Sequence, residues 1–242
     1  MKASNNRQKI SILVLSLLLL MPFSHLSASA AVEELQPGLH TVPYKNAEYM
    51  VFLPLSFSPE KKYPLIVISY IYTGVKDIDP SEMMDSWSRV AEEREYVVVL
   101  PIVGGIDEKI IEWYRDLLKD VKARYSINRS HVLLTGFGDG AHFAYYLGTT
   151  IPEEFSAVSP VAGTLKGSWE RRIYFKKSDR RPFLILSGAA DSKVPSRAIQ
   201  ESAEKLKSQG YDVSYEELPG EGHTYSDTTV QKIADWFGNL AG

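Results

Sequence analysis

The sequence predicts an α/β fold, a mostly parallel sheet with helices on both faces. Three observations predict it. Apolar runs recur without polar interruption, such as "PLIVISY" (64–70), "YVVVLP" (96–101) and "PFLILSG" (182–188), as in strands buried on both sides. Segments with apolar residues at helical spacing lie between them. Strand and helix alternate with no internal repeat, low-complexity tract or dividing linker.

The N-terminal thirty residues stand apart. "MKASNNRQK" is basic and free of acids, "ISILVLSLLLLMPF" is apolar but short for a membrane span, and Ala28-Ser29-Ala30 has small-x-small form. This pattern predicts a signal peptide over 1–30 and a secreted or periplasmic protein. An uncleaved anchor is the alternative reading. Residues 31–242 then form a single domain.

Along that domain, "EYMVFLP" (48–54) alternates as a half-exposed strand and "PLIVISY" follows as a buried one. Residues 81–94 place Met83, Met84, Trp87, Val90 and Ala91 on one helical face. After "YVVVLP", residues 108–125 do the same with Ile110, Tyr114, Leu117, Leu118, Val121 and Tyr125. "HVLLTG" (131–136) is a strand that leads into a helix over 139–149. "SAVSPVAG" (156–163) and "PFLILSG" are two more strands, followed by a helix at 196–208. "DVSYEELP" (212–219) is the last strand and 227–240 the last helix. Function in such folds gathers at loops beyond the carboxyl ends of strands.

Composition excludes several classes. The 242 residues contain no cysteine, so disulfides, cysteine-ligated zinc, a lipid-modified cysteine and a thiol nucleophile are all excluded. Without Lys2, Arg7 and Lys9 of the leader, 24 Lys and Arg face 30 Asp and Glu, a net charge of −6. A field of that sign disfavours nucleic acid. His40, His131, His142 and His223 show no metal-ligand spacing, so no metal is predicted.

"HVLLTGFGDGAHFAYYLG" (131–148) is the segment richest in chemistry. Gly136 to Ala141 satisfies G-x-G-x-x-A between strand and helix, as in a dinucleotide-binding turn. The companions of that motif are missing. The next strand, "SAVSPVAG", carries no acid at its end, and the motif sits mid-chain rather than in the first strand–helix unit. No cofactor is therefore predicted from it. The other reading is a nucleophile elbow, with Asp191 in "FLILSGAADSKVP" and His223 in "ELPGEGHTY" following it in the chain. Nucleophile, acid and histidine then stand in the order 138, 191, 223, each on a loop after a strand.

On these residues the chain resembles the α/β-hydrolase superfamily. It is most similar to small secreted esterases related to polyhydroxybutyrate depolymerases, feruloyl esterases, phospholipase/carboxylesterases and dienelactone hydrolases. The resemblance covers nearly all of 31–242 and implies an α/β-hydrolase fold with no large lid. In those families the elbow reads G-x-S-x-G; here it reads G-F-G-D-G, with Gly138 where the serine is expected. The family's His-Gly pair after the third strand corresponds to Tyr70-Ile71. Of the two oxyanion-hole donors, the Asp139 N–H is retained in principle and the one at Ile71 is placed on a pair poorly suited to the turn.

Glycine relieves the strain of an elbow but supplies no Oγ, so acyl-enzyme chemistry by that route is lost. Ser69, Thr135 and Ser159 are read as core hydroxyls, and His142 as structural. Asp191 has a competing reading as a helix cap. The basic stretch 164–182 is read as a solvated excursion, with an anionic-ligand surface as its alternative.

Three function classes remain open. The first is a non-catalytic or impaired hydrolase relative binding a small ester-like or anionic ligand or a partner in the old pocket. The second is an active carboxylic-ester hydrolase, with serine natural at 138 or a water activated by His223. The third is a dinucleotide binder. No nucleic acid and no stable membrane span after leader removal are expected.

Overall fold

The computed structural model describes residues 36–71, 78–105, 107–165, 173, 175 and 178–240, so the 1–30 leader and most of 164–182 lie outside the described residues. The elements run β1 (Gly38–Tyr44), β2 (Ala47–Leu53), β3 (Tyr63–Ile71), α1 (Pro80–Arg94), β4 (Val97–Val103), α2 (Ile110–Arg124), β5 (Ile127–Phe137), α3 (Asp139–Thr150), β6 (Ala157–Val161), β7 (Phe183–Gly188), α4 (Ser196–Ser208), β8 (Val213–Leu218) and α5 (Asp227–Asn239). A short 3₁₀ turn at Pro152–Glu154 follows α3.

The eight strands form one sheet in the order β1-β2-β4-β3-β5-β6-β7-β8. β1–β2 and β2–β4 pair antiparallel, and every later pairing is parallel. The apolar runs follow from burial on both faces. Leu65 and Val67 of β3 join Val97 and Val99 of β4 in one core with α2, α3 and α4. Ile66, Ile68, Val98 and Leu100 point to the other core with α1 and α5. A two-residue period thus serves both cores at once.

Local signals set the helix ends. Asp79 accepts from the Ser81 N–H and Pro80 starts α1, while Glu95 ends it in the left-handed region at φ 57°. Ser226 caps α5 by accepting from Thr229 N. These are ordinary helix start and stop chemistries. Because β3 to β8 run in the same direction, their carboxyl ends share one rim, and the candidate residues gather there.

Candidate functional site

Three loops on that rim build the site. The first is the turn from β5 to α3. Gly138 adopts φ 55°, ψ −118°, a conformation that costs a side-chain-bearing residue strain. Its N–H donates to Val161 O at 3.1 Å, and its carbonyl accepts from Ala141 N and His142 N as α3 begins. The glycines on either side have packing roles. A Cβ at Gly136 would collide with the Gly140 carbonyl and Ser69 Oγ, and one at Gly140 with the Ser69 carbonyl. Close approach of α3 to β3 therefore accounts for both without a pyrophosphate.

The second loop follows β7. Asp191 is 8% exposed. Its Oδ1 accepts from Lys193 N at 2.8 Å and Val194 N at 2.9 Å. α4 begins after Pro195 with no side-chain cap, so Asp191 ties its own loop and does not cap the helix. Its Oδ2 is left facing the third loop, between β8 and α5.

There His223 Nδ1 donates to Asp191 Oδ2 at 2.8 Å. An ionised carboxylate only accepts, which assigns the proton to Nδ1 and leaves Nε2 as the ring's basic nitrogen. Both side chains are almost fully covered. The Phe137 ring, next to Gly138, lies 4.6 Å from the imidazole, centroid to centroid. Two residues after His223, Tyr225 anchors the same loop. Its hydroxyl accepts from Trp87 Nε1 at 2.8 Å and lies 3.3 Å from Thr135 Oγ1. Burial pushes the Tyr225 phenol up to about 12.

An oriented acid–imidazole pair on the carboxyl rim of a parallel sheet, beside a tight strand-to-helix turn, is hydrolase geometry. The phospholipase/carboxylesterase family matches this chain over residues 105–240, more than half of its length. The chain belongs to that family.

Its fold is that of the esterase-type α/β-hydrolases. The chain is 28% identical over 122 residues to the bifunctional acetylxylan esterase/xylanase of Neocallimastix patriciarum, a match covering 47% of this chain and 17% of that protein. A crystallised thermostable esterase superposes with a TM-score of 0.65 at 19% identity, over 83% of this chain and 62% of the other. Thermogutta terrifontis esterase 2 gives 0.64 at 18% identity, over 86% and 96% of the two chains. A ferulic acid esterase from Anaeromyces mucronatus gives 0.59 at 18%, over 88% and 94%. At these identities the solved structures speak to the fold alone.

Within this family fold, the remaining candidate residues fall as follows. Tyr70 and Ile71 are still strand, paired with Ile102 and Val103 of β4; the turn beyond them, 72–77, lies outside the described residues. Asp139 is the first residue of α3. Ser69 Oγ donates to Thr135 O and Gly140 O, and Thr135 Oγ1 to Ser159 O. Ser159 Oγ is buried with no partner among the described residues. His142 Nδ1 bonds the Thr164 carbonyl. Among the described residues no cluster of His, Asp and Glu is placed to hold a metal ion. No helix there is long and apolar enough to cross a membrane. Sequence reasoning missed Phe137 and Tyr225. Each is a buried aromatic with no local pattern to mark it, although both flank residues that the chain order singles out.

Proposed function

We propose that this chain is an exported esterase-type α/β-hydrolase that has given up hydrolysis and binds a small ester-like or anionic molecule over the β5–α3 turn. The observation that carries the reading is Gly138, at φ 55°, ψ −118°, in the turn where the family places its nucleophile. Asp191 and His223 form an acid–base pair near it, yet the residue they would serve has no side-chain oxygen. Loss of a triad serine lowers turnover by about six orders of magnitude. Tyr70-Ile71, which the sequence resemblance matches to the His-Gly pair of related esterases and which is still paired strand, is a second departure in sequence. It favours a lineage that has left catalysis over a single substitution in an active enzyme.

A second reading keeps the chain an ester hydrolase, with Nε2 of His223 activating a water. It is favoured by the intact Asp191–His223 hydrogen bond. Labelling with a fluorophosphonate, which captures activated serines, separates the two when read with ester turnover. The natural chain is expected to remain unlabelled and to leave 4-nitrophenyl acetate at the background rate. Gly138→Ser should regain labelling at position 138 if the rest of the site is sound. Labelling of the natural chain, or background-corrected ester turnover abolished by His223→Ala, would overturn the proposal.

Export rests on the leader. The basic start, apolar stretch and Ala28-Ser29-Ala30 fit cleavage before Ala31. Amino-terminal sequencing of the extracytoplasmic protein should begin at Ala31, and recovery of intact Met1 there would contradict it.

A further inference from the structure

A cavity opens on the same rim, beyond the carboxyl end of β4. It has a volume of about 490 Å³, and its lining includes Asn46, Val103, Gly104, Asp107, Lys109, Ile110 and Trp113. That size falls within the roughly 300–1,000 Å³ of small-ligand sites. β4 and β5 flank β3, so the cavity is offset from the Gly138 turn by two strand spacings, about 10 Å.

Contacts within the chain brace its walls. The tip of the β1–β2 hairpin, which carries Asn46, is tied to α2 by the ion pair of Lys45 and Asp116. The Trp113 ring makes T-shaped contacts with Tyr44, centroids 5.5 Å apart, and with Tyr114, at 5.3 Å. The Asp107 carboxylate accepts from the Lys109 N–H at 2.9 Å, which sets the loop at the start of α2. Preorganised walls reduce the entropy lost on binding.

The chemistry of the lining is specific. Val103, Ile110 and the half-buried Trp113 make an apolar floor. Above it stand one amide, one carboxylate and one ammonium: Asn46, Asp107 and Lys109. The rim has no net charge, which disfavours a strongly charged ligand of either sign. The Asn46 amide and Lys109 Nζ make no hydrogen bond to other described residues, so donors and acceptors are both available. A molecule with flat C–H faces and an equator of hydroxyls, each both donor and acceptor, matches this pattern.

We propose that this cavity binds a neutral carbohydrate, one pyranose ring lying on Trp113 with its hydroxyls reaching Asn46, Asp107 and Lys109. The site does not depend on whether chemistry occurs at Gly138. It would hold a glycan against the same rim on which the Asp191–His223 pair stands.

The test is titration of the full chain with neutral tetrasaccharides of glucose, xylose and mannose, followed by calorimetry and by tryptophan fluorescence. Inorganic phosphate serves as the anionic control. At least one tetrasaccharide should bind with a Kd of about 1 mM or lower, with little change between low and high salt. Trp113→Ala should weaken it about tenfold or more. Gly104→Val is the second variant, because a Cβ at Gly104 meets no atom within 4 Å; it should fold normally, fill the mouth and abolish binding. His223→Ala should bind as the natural chain does, which separates this site from the Gly138 pocket. The proposal is overturned if no tetrasaccharide binds, if Gly104→Val binds unchanged, or if phosphate competes and affinity collapses with salt.

Discussion

The ring of Phe137 packs against that of His223, centroids 4.6 Å apart and planes inclined by 47°. Tyr225 also meets Phe137, centroids 5.8 Å apart. The residue preceding the β5–α3 turn therefore forms a wall for the imidazole, while Asp191 holds its Nδ1. Phe137→Ala should destabilise the fold by about 3–5 kcal/mol, the usual cost of a buried Phe truncation. It should also free the imidazole. The Nδ1–H resonance of His223 should exchange slowly in the natural chain and broaden in the variant. An unaltered resonance in a folded variant would show that Asp191 alone fixes the ring.

Tyr225 secures the same loop from beneath. Tyr225→Phe leaves the buried Trp87 N–H without its acceptor and should cost about 1–3 kcal/mol. Alkaline pH should reproduce the effect. Burial raises the Tyr225 phenol to about 12 in the folded protein, against about 10 in an unfolded chain. The contribution is complete below pH ~10 and disappears as pH rises toward ~12. Urea unfolding across that range should decline less steeply in Tyr225→Phe than in the natural chain. Parallel slopes would rule out Tyr225 as a source of alkaline sensitivity.

Gly140 tests the close approach of α3 to β3. An alanine Cβ there would collide with the Ser69 carbonyl, a backbone atom that cannot rotate away. Gly140→Ala should cost about 1–3 kcal/mol or more through forced backbone movement, and the near-ultraviolet circular dichroism of the aromatic wall should change. Natural stability in this variant would mean that α3 floats on the sheet.

The outline of the fold was legible because buried parallel strands and amphipathic helices write strong periods into the sequence. α4 occupies 196–208 as its Ile199, Ala203 and Leu206 predict. β5 begins at Ile127, four residues before the apolar run, because Tyr63 pairs with Ile127 across an irregularity while polar Asn128, Arg129 and Ser130 mask the start. β1 gave no signal. It is an edge strand whose residues alternate between half-buried and exposed with none fully buried; Gly38 and His40 fall on the covered side and Leu39 on the exposed side, so no apolar alternation marks it. In the site, chain order and loop context pointed to Asp191 and His223, and the structure brings them into contact. The Trp87–Tyr225 bond was not legible, since it joins residues 138 positions apart that carry no pattern of their own. Tyr70 ends the apolar run 64–70 that was read as strand, but the strand also takes in Ile71, so the pair matched to the oxyanion turn is still paired β3, because β-branched and aromatic residues extend the strand.

Gly138 should be at ease where serine is strained. With φ 55° and ψ −118°, Gly138→Ser should lower stability by about 1–3 kcal/mol, or about 2–4 °C in Tm for each kcal/mol. An equal or higher Tm would show that the turn imposes no strain on a side chain.

Under the proposed function, Asp191 and His223 persist without a hydrolytic reaction to serve. The most direct test of this is the hydrolysis of 4-nitrophenyl acetate by the natural chain and by His223→Ala, each purified and corrected for spontaneous loss. The account predicts equal rates within about twofold, both far below the ~10⁴ M⁻¹ s⁻¹ at which enzymatic kcat/KM values begin. A natural chain that reaches that range, and falls about 100-fold or more when His223 is removed, would contradict it.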